Sequence, residues 1–157
     1  MLKAYKGARA VPKEAFCPAP RYSDRAFWES LPEKAKSFYL EQARALVGCE
    51  IPACPPTAYL AYTREGLRTP YQAYFDDART RLFLFIMAEG VENKGNFVDS
   101  ALNCVWAICE ETSWCIPSTN NQPYYDNIWR PLPDVESQTG QTYVQLWPAE
   151  TASVLSW

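Results

Sequence analysis

Arg64 and Arg68 flank Gly66 in a short segment that ends at Pro70. A guanidinium presents a planar fork of donors, so this pair can hold carboxylate or sulfate groups bidentately. Equally, the two can cap a short helix or pair with Glu65, Asp76 or Asp77. Trp114 stands between an apolar stretch and Pro117. An indole there can stack on the apolar face of a sugar ring or plug the end of a helix pair. Asn120, Asn121, Tyr124 and Tyr125 gather polar and aromatic groups in one loop, the kind of segment on which ligand contacts concentrate. Asn-Asn before Gln-Pro is also ordinary turn chemistry. Glu110 and Glu111 close a helical stretch, where the helix dipole disfavours acids, so a cationic partner is expected from Arg130 or from a neighbouring helix.

Other chemistry is excluded by residue type. The chain has no histidine, so its Ser, Cys and Asp residues complete no nucleophilic triad. No Gly-rich phosphate loop occurs. The six cysteines include the pairs Cys49-x4-Cys54 and Cys104-x4-Cys109, which is not zinc-finger spacing. No metal and no cofactor is expected, and the thiols are expected to be free and buried. A net charge of −3 and the lack of a basic run give no reason to bind nucleic acid. The longest apolar run, Leu82 to Ala88, has seven residues against the roughly 20 that a membrane span needs, so no membrane partner is expected. No apolar segment follows the N-terminal Lys3 and Lys6, which predicts a cytoplasmic protein, or a secreted or periplasmic one if a leader has been lost.

These candidates must be positioned by helices. With 48% apolar and 21% charged residues, a chain of 157 residues can bury roughly two-thirds of its unfolded surface. Residues 1–22 carry three prolines and read as an extended lead-in to a helical domain over 23–157. Ser23 predicts the cap of a short helix, and Ser30 with Pro32 and Glu33 that of a second, running to Gly48. Its buried face is Ala35, Tyr39, Ala43, Leu46 and Val47. The prolines between Cys49 and Thr57 indicate a stiff connector, after which Ala58–Thr63 can make one or two turns. Pro70 opens the strongest helix, with Tyr71, Tyr74, Phe75, Ala78, Leu82, Phe85 and Ile86 on one face and Gly90 as its stop. Its second half is apolar all round and must lie between other helices. Asn93–Asn96 turns the chain into a helix whose Val98, Ala101, Leu102, Val105 and Ile108 face inward, giving an αα-hairpin. From Thr112 to about Gly140 the chain is polar and longer than an ordinary connection. Tyr143–Trp157 then reads as a helix with Pro148 and Glu150 in its first turn, Ala149, Ala152, Val154 and Leu155 behind them, and no stop signal.

Four stretches, Ser23–Trp28, Tyr59–Tyr71, Trp106–Pro117 and Leu146–Ala152, resemble the N-terminal part of heparinase II/III-like proteins. These are polysaccharide lyases built on an incomplete α/α toroid. The resemblance implies an all-α fold of helical hairpins forming part of such a toroid, truncated at its C-terminus. It also implies a lyase as the parent protein, with acidic polysaccharide as its partner and the rest of the toroid, or a partner helix, against this piece. Where the pattern has Ala-His-Asn after Trp-x-x-Pro, this chain has Ser118-Thr119-Asn120-Asn121. The family's catalytic Tyr, His and Asn lie further along the toroid, so no catalytic residue is carried over, and the chain alone is expected to be inactive. The rival readings are a non-catalytic carbohydrate-binding module and a helical interaction scaffold.

Overall fold

The computed structural model describes residues 20–120 and 146–156, and every regular element among them is a helix. The extended lead-in therefore lies, up to residue 19, outside the described residues. α1 (Arg25–Ser30) is capped by Asp24 rather than by Ser23: the Asp24 carboxylate accepts from the Phe27 amide at 3.2 Å, and its charge suits the helix N-terminus. Ser30 also departs from its predicted capping role. Its hydroxyl donates back to the Phe27 carbonyl, and Pro32 precedes α2 (Glu33–Leu46). Gly48, at φ 75°, takes the left-handed position after that helix as expected. α3 (Pro56–Glu65) begins two residues earlier than predicted. Proline is well suited to a first helical turn because its missing N–H has no partner to lose there.

α4 (Thr69–Glu92) is the axis of the fold, about 36 Å long at 1.5 Å per residue. It packs against α1, α2, α3, α5 (Val98–Cys109) and α7 (Leu146–Leu155); α1 and α2 meet its second half at Gly90 and Phe83, and α3 and α7 its first half at Tyr71 and Phe75. Gly90 does not end it. The helix continues to Glu92, and Asn93 reverses the chain at φ 55° with Gly95 at φ 79°. Buried Glu89 fixes this turn by accepting from the Gly95 amide at 2.7 Å and the Phe97 amide at 3.1 Å, with the Tyr22 hydroxyl donating to it from outside.

The core joins Ala43 of α2, Ala78, Leu82, Phe85 and Ala88 of α4, and Phe97, Cys104 and Ile108 of the hairpin's second arm. Phe97 stacks on Phe85 with ring centroids 6.3 Å apart. Burial of one such side chain contributes about 1.5–3 kcal/mol. Val98, Leu102 and Val47, predicted to face inward, are exposed. Their inward places are taken by Phe97 and Cys104 on one arm and by Leu40 on α2. The apolar pattern of α5 covers more than half its circumference, while the main helix packed on it is α4, so periodicity alone does not say which flank is covered. On α7, Ala149 and Ala152 face out, Val154 and Leu155 pack on the core, and Thr151 is the fully buried residue.

Five described cysteines are free, as expected, but the expectation of burial holds fully only for Cys104: Cys49, Cys54 and Cys109 are exposed and Cys115 is partly buried. Burial pushes the Cys104 thiol up to about 11, with the charge of Arg81 opposing. Raised in the fold, this thiol contributes stability below its unfolded pKa that is lost as pH rises through about 11. At pH 8, maleimide is expected to modify Cys49, Cys54 and Cys109 rapidly and Cys104 only on unfolding. Peptide mapping by mass spectrometry checks this, and equal native rates for Cys104 and the exposed three would contradict the packing.

Candidate functional site

The N-terminal half of α4 carries the densest polar chemistry, built from three chain segments. Arg79 is buried and donates from all three of its guanidinium nitrogens. Nε donates to the Thr151 hydroxyl at 2.8 Å, Nη1 to the Phe75 carbonyl at 2.8 Å and to Glu111 at 2.9 Å, and Nη2 to Glu111 at 2.7 Å. The guanidinium carbon lies 3.3 Å from the Phe75 ring centroid, and that ring meets Trp147 edge-on at 5.7 Å. The cationic partner expected for the Glu110-Glu111 pair is therefore on a neighbouring helix, and it serves Glu111. Arg130 lies outside the described residues.

Beside this node a recess of ≈ 270 Å³ opens between α3, the start of α4 and the segment after α5. Tyr59, Leu60 and Tyr71 form its aromatic wall, with Cys54, Thr112 and Ser113 across from them. Tyr71 donates from its hydroxyl to the Ser113 carbonyl at 3.0 Å and meets Tyr59 edge-on at 5.1 Å. Burial first, and the Glu111 charge second, hold its phenol well above the ordinary tyrosine range. A phenol so raised and already donating to a backbone carbonyl is a poor general base. A second recess of ≈ 300 Å³ shares Cys54 and Tyr71 and runs on to Glu110 and Glu111.

Arg64 lies in the last turn of α3, one turn beyond Leu60, and Arg68 immediately precedes α4, three residues before Tyr71. Both are exposed, and neither forms an ion pair or side-chain hydrogen bond among the described residues. The suggested pairing with Asp77 is not made, because Asp77 holds Arg81 at 2.9 Å on its own helix. Trp114 is partly buried, donates from Nε1 to the Ile108 carbonyl at 2.8 Å, and packs against both the main core and the Tyr71–Phe75–Ile116 cluster. It plugs the hairpin end. Asn120 is the last residue of α6 (Pro117–Asn120), and Asn121, Tyr124 and Tyr125 lie outside the described residues.

The recess-forming Tyr59, Tyr71 and Ser113 were not singled out from sequence as a site, since Tyr71 reads as one more residue of a core face. Among the described residues no three His, Cys, Asp or Glu side chains cluster to hold a metal ion. No helix among them is long and apolar enough to cross a membrane. The arrangement sets Tyr59 and Tyr71 beside Ser113 around one recess, with Arg64 and Arg68, uncommitted among the described residues, within one helical turn of Leu60 and Tyr71 along the chain. No family model and no curated protein matches the chain.

Proposed function

We propose that this chain is the N-terminal helical segment of a heparinase II/III-like polysaccharide lyase, forming part of the cleft wall of an incomplete α/α toroid. The parent enzyme would act by β-elimination on uronate-containing acidic polysaccharide. That reaction removes the proton α to a carboxylate, so the site must neutralise the carboxylate and supply a base and an acid. The described part of this chain carries wall and charge, while the eliminating groups are expected further along the toroid.

The observation that carries the reading is a convergence. Three of the four resembling stretches meet at one end of α4: Tyr59 and Tyr71 from one, Glu111, Ser113 and Trp114 from another, Trp147 and Thr151 from a third. The fourth secures the far end, where Trp28 covers Gly90 and Arg25 donates to the Gly90 carbonyl at 2.8 Å. Arg64 and Arg68 then serve as the contacts to sugar carboxylates or sulfates. The alternative, a non-catalytic carbohydrate-binding module, rests on the same recess and on Tyr71 being committed as a donor.

Titration calorimetry with uronate oligosaccharides separates these from a scaffold that binds no sugar. Arg64→Ala with Arg68→Ala is expected to weaken binding about tenfold or more, at least the size of one charge-assisted hydrogen bond. Equal affinity for a neutral glucan, or an unchanged affinity in the double variant, would count against the reading. In the assay for unsaturated uronates by absorbance near 230 nm, this chain alone is expected to give no turnover. Turnover that disappeared on replacing Tyr124 or Tyr125 would move catalysis onto this segment.

A further inference from the structure

The recess between α3, the start of α4 and the segment after α5 has walls that are held in place. Tyr71 donates to the Ser113 carbonyl at 3.0 Å and the Ser113 hydroxyl accepts from the Cys115 amide at 2.9 Å, so this side is not free to swing in and fill the space. Pro55 and Pro56 stiffen another side, since each ring fixes its own φ. Folded interiors leave few voids larger than a water molecule, and ≈ 270 Å³ between tied walls is room kept open. We propose that this recess binds a small uncharged aryl group of one or two rings, seated against Tyr59 and Tyr71.

Size and shape select the ring. An apolar cavity of about 150 Å³ holds benzene, whereas drug-sized ligands occupy roughly 300–1,000 Å³. The recess falls between the two, which suits a fragment of one or two rings. Tyr59 and Tyr71 meet at 89° with centroids 5.1 Å apart, so an incoming ring finds a face and an edge, the two arrangements that aromatic pairs prefer. Leu60 and the two prolines complete an apolar surround.

Charge and hydrogen bonding exclude the other classes. Among the described residues no Asp, Glu, Lys or Arg lines the recess. Burial first, and the Glu111 charge second, push up both the Tyr71 phenol and the Cys54 thiol, so both stay protonated at neutral pH. An anionic ring would give up hydration, find no cation in the lining and face the Glu111 carboxylate that already acts on Tyr71 and Cys54. A sugar fits no better, because Tyr71 is committed as a donor and Thr112 and Ser113 supply few partners for the several hydroxyls that a pyranose would bury. Arg64 and Arg68 do not line the recess, so the inference stands apart from the uronate contacts assigned to them.

Cys54 lines the recess while Cys49 and Cys109, equally exposed, do not, which gives a site-specific readout on the full chain. Modification by N-ethylmaleimide at neutral pH is followed thiol by thiol by peptide mapping. With a dissociation constant on the order of 1 mM, the range for so small a ligand, about 5 mM indole should slow Cys54 roughly fivefold and leave Cys49 and Cys109 unchanged. Benzamide should protect Cys54, and benzoate, of the same shape but charged, should do so at least about tenfold less well. Tyr59→Phe should keep the protection and Tyr59→Ala weaken it about threefold to tenfold, the worth of one aromatic pair, with circular dichroism confirming that each variant is folded. Indole that leaves Cys54 unprotected, or slows all three thiols alike, overturns the proposal, as does benzoate matching benzamide. Protection by a neutral disaccharide at the same concentration gives the recess to a sugar and overturns it too. A chain that binds indole at Cys54 but no uronate by calorimetry keeps this inference and loses the uronate reading, and the reverse result does the opposite.

Discussion

Replacing Arg79 by methionine is expected to destabilise the fold by about 3 kcal/mol, the cost of leaving a largely buried charge partner unmatched, moderated by the partial exposure of Glu111. Methionine keeps much of the volume and the contact with Phe75, so packing loss is small and the effect is electrostatic. What is lost is the bidentate grip on Glu111 and the bond to Thr151, which has no exposed surface. Thr151 still donates to the Trp147 carbonyl at 2.9 Å, but its hydroxyl oxygen loses the donor that ties α7 to α4. Urea unfolding at neutral pH measures the global effect, and hydrogen exchange over 146–155 should show α7 opening first. Arg79→Lys keeps the charge without the fork and should fall between the two. Arg79→Met/Glu111→Met should recover much of the loss, since an apolar pair replaces the ion pair without an orphaned charge. A loss below about 0.5 kcal/mol in Arg79→Met, within the range of surface substitutions, would show that this node does not hold the elements together.

That node also marks where sequence reading stops. The long helix was legible because Tyr71, Phe75, Ala78, Leu82 and Phe85 recur at helical spacing, and all five are buried. The hairpin turn was legible because Asn93 and Gly95 are the residue types that accept positive φ. Arg79 was not: a charge on a helix reads as solvent-facing, and only the three-dimensional meeting of Glu111, Thr151 and Phe75 explains its burial. Glu111 was half legible, because two acids at a helix end demand a cation but do not say whose. The direction of α5 failed for the opposite reason. Val98 and Leu102 obey helical spacing as well as Ile108 does, but spacing ranks positions around a helix without locating the neighbour. Of the candidate site, Arg64, Arg68 and Trp114 were named from residue type. The recess itself, which none of these three lines, depends on Tyr59 and Ser113, whose proximity to Tyr71 arises from packing across segments that sequence spacing does not relate.

Gly90→Ala is expected to destabilise the protein by about 2 kcal/mol, the reverse of what helix propensity alone predicts. In an exposed helix interior, glycine is about 1 kcal/mol worse than alanine, so the substitution should stabilise. Here a Cβ on Gly90 would meet the six-membered ring of Trp28 at 2.5 Å from Cη2 and 2.6 Å from Cζ3. The indole has little freedom to retreat, being 3% exposed and held by the bond from Nε1 to the Arg21 carbonyl at 3.0 Å. Its shift would also disturb Arg25, which donates to the Gly90 and Val91 carbonyls. The glycine that reads in sequence as a helix stop is thus a seat for a tryptophan. A double-mutant cycle isolates the contact: in a Trp28→Leu background the ring is absent, and Gly90→Ala should change sign and stabilise by up to about 1 kcal/mol. Chemical denaturation of the four proteins supplies the cycle. The same sign in both backgrounds would mean that the indole does not set the need for glycine at this position.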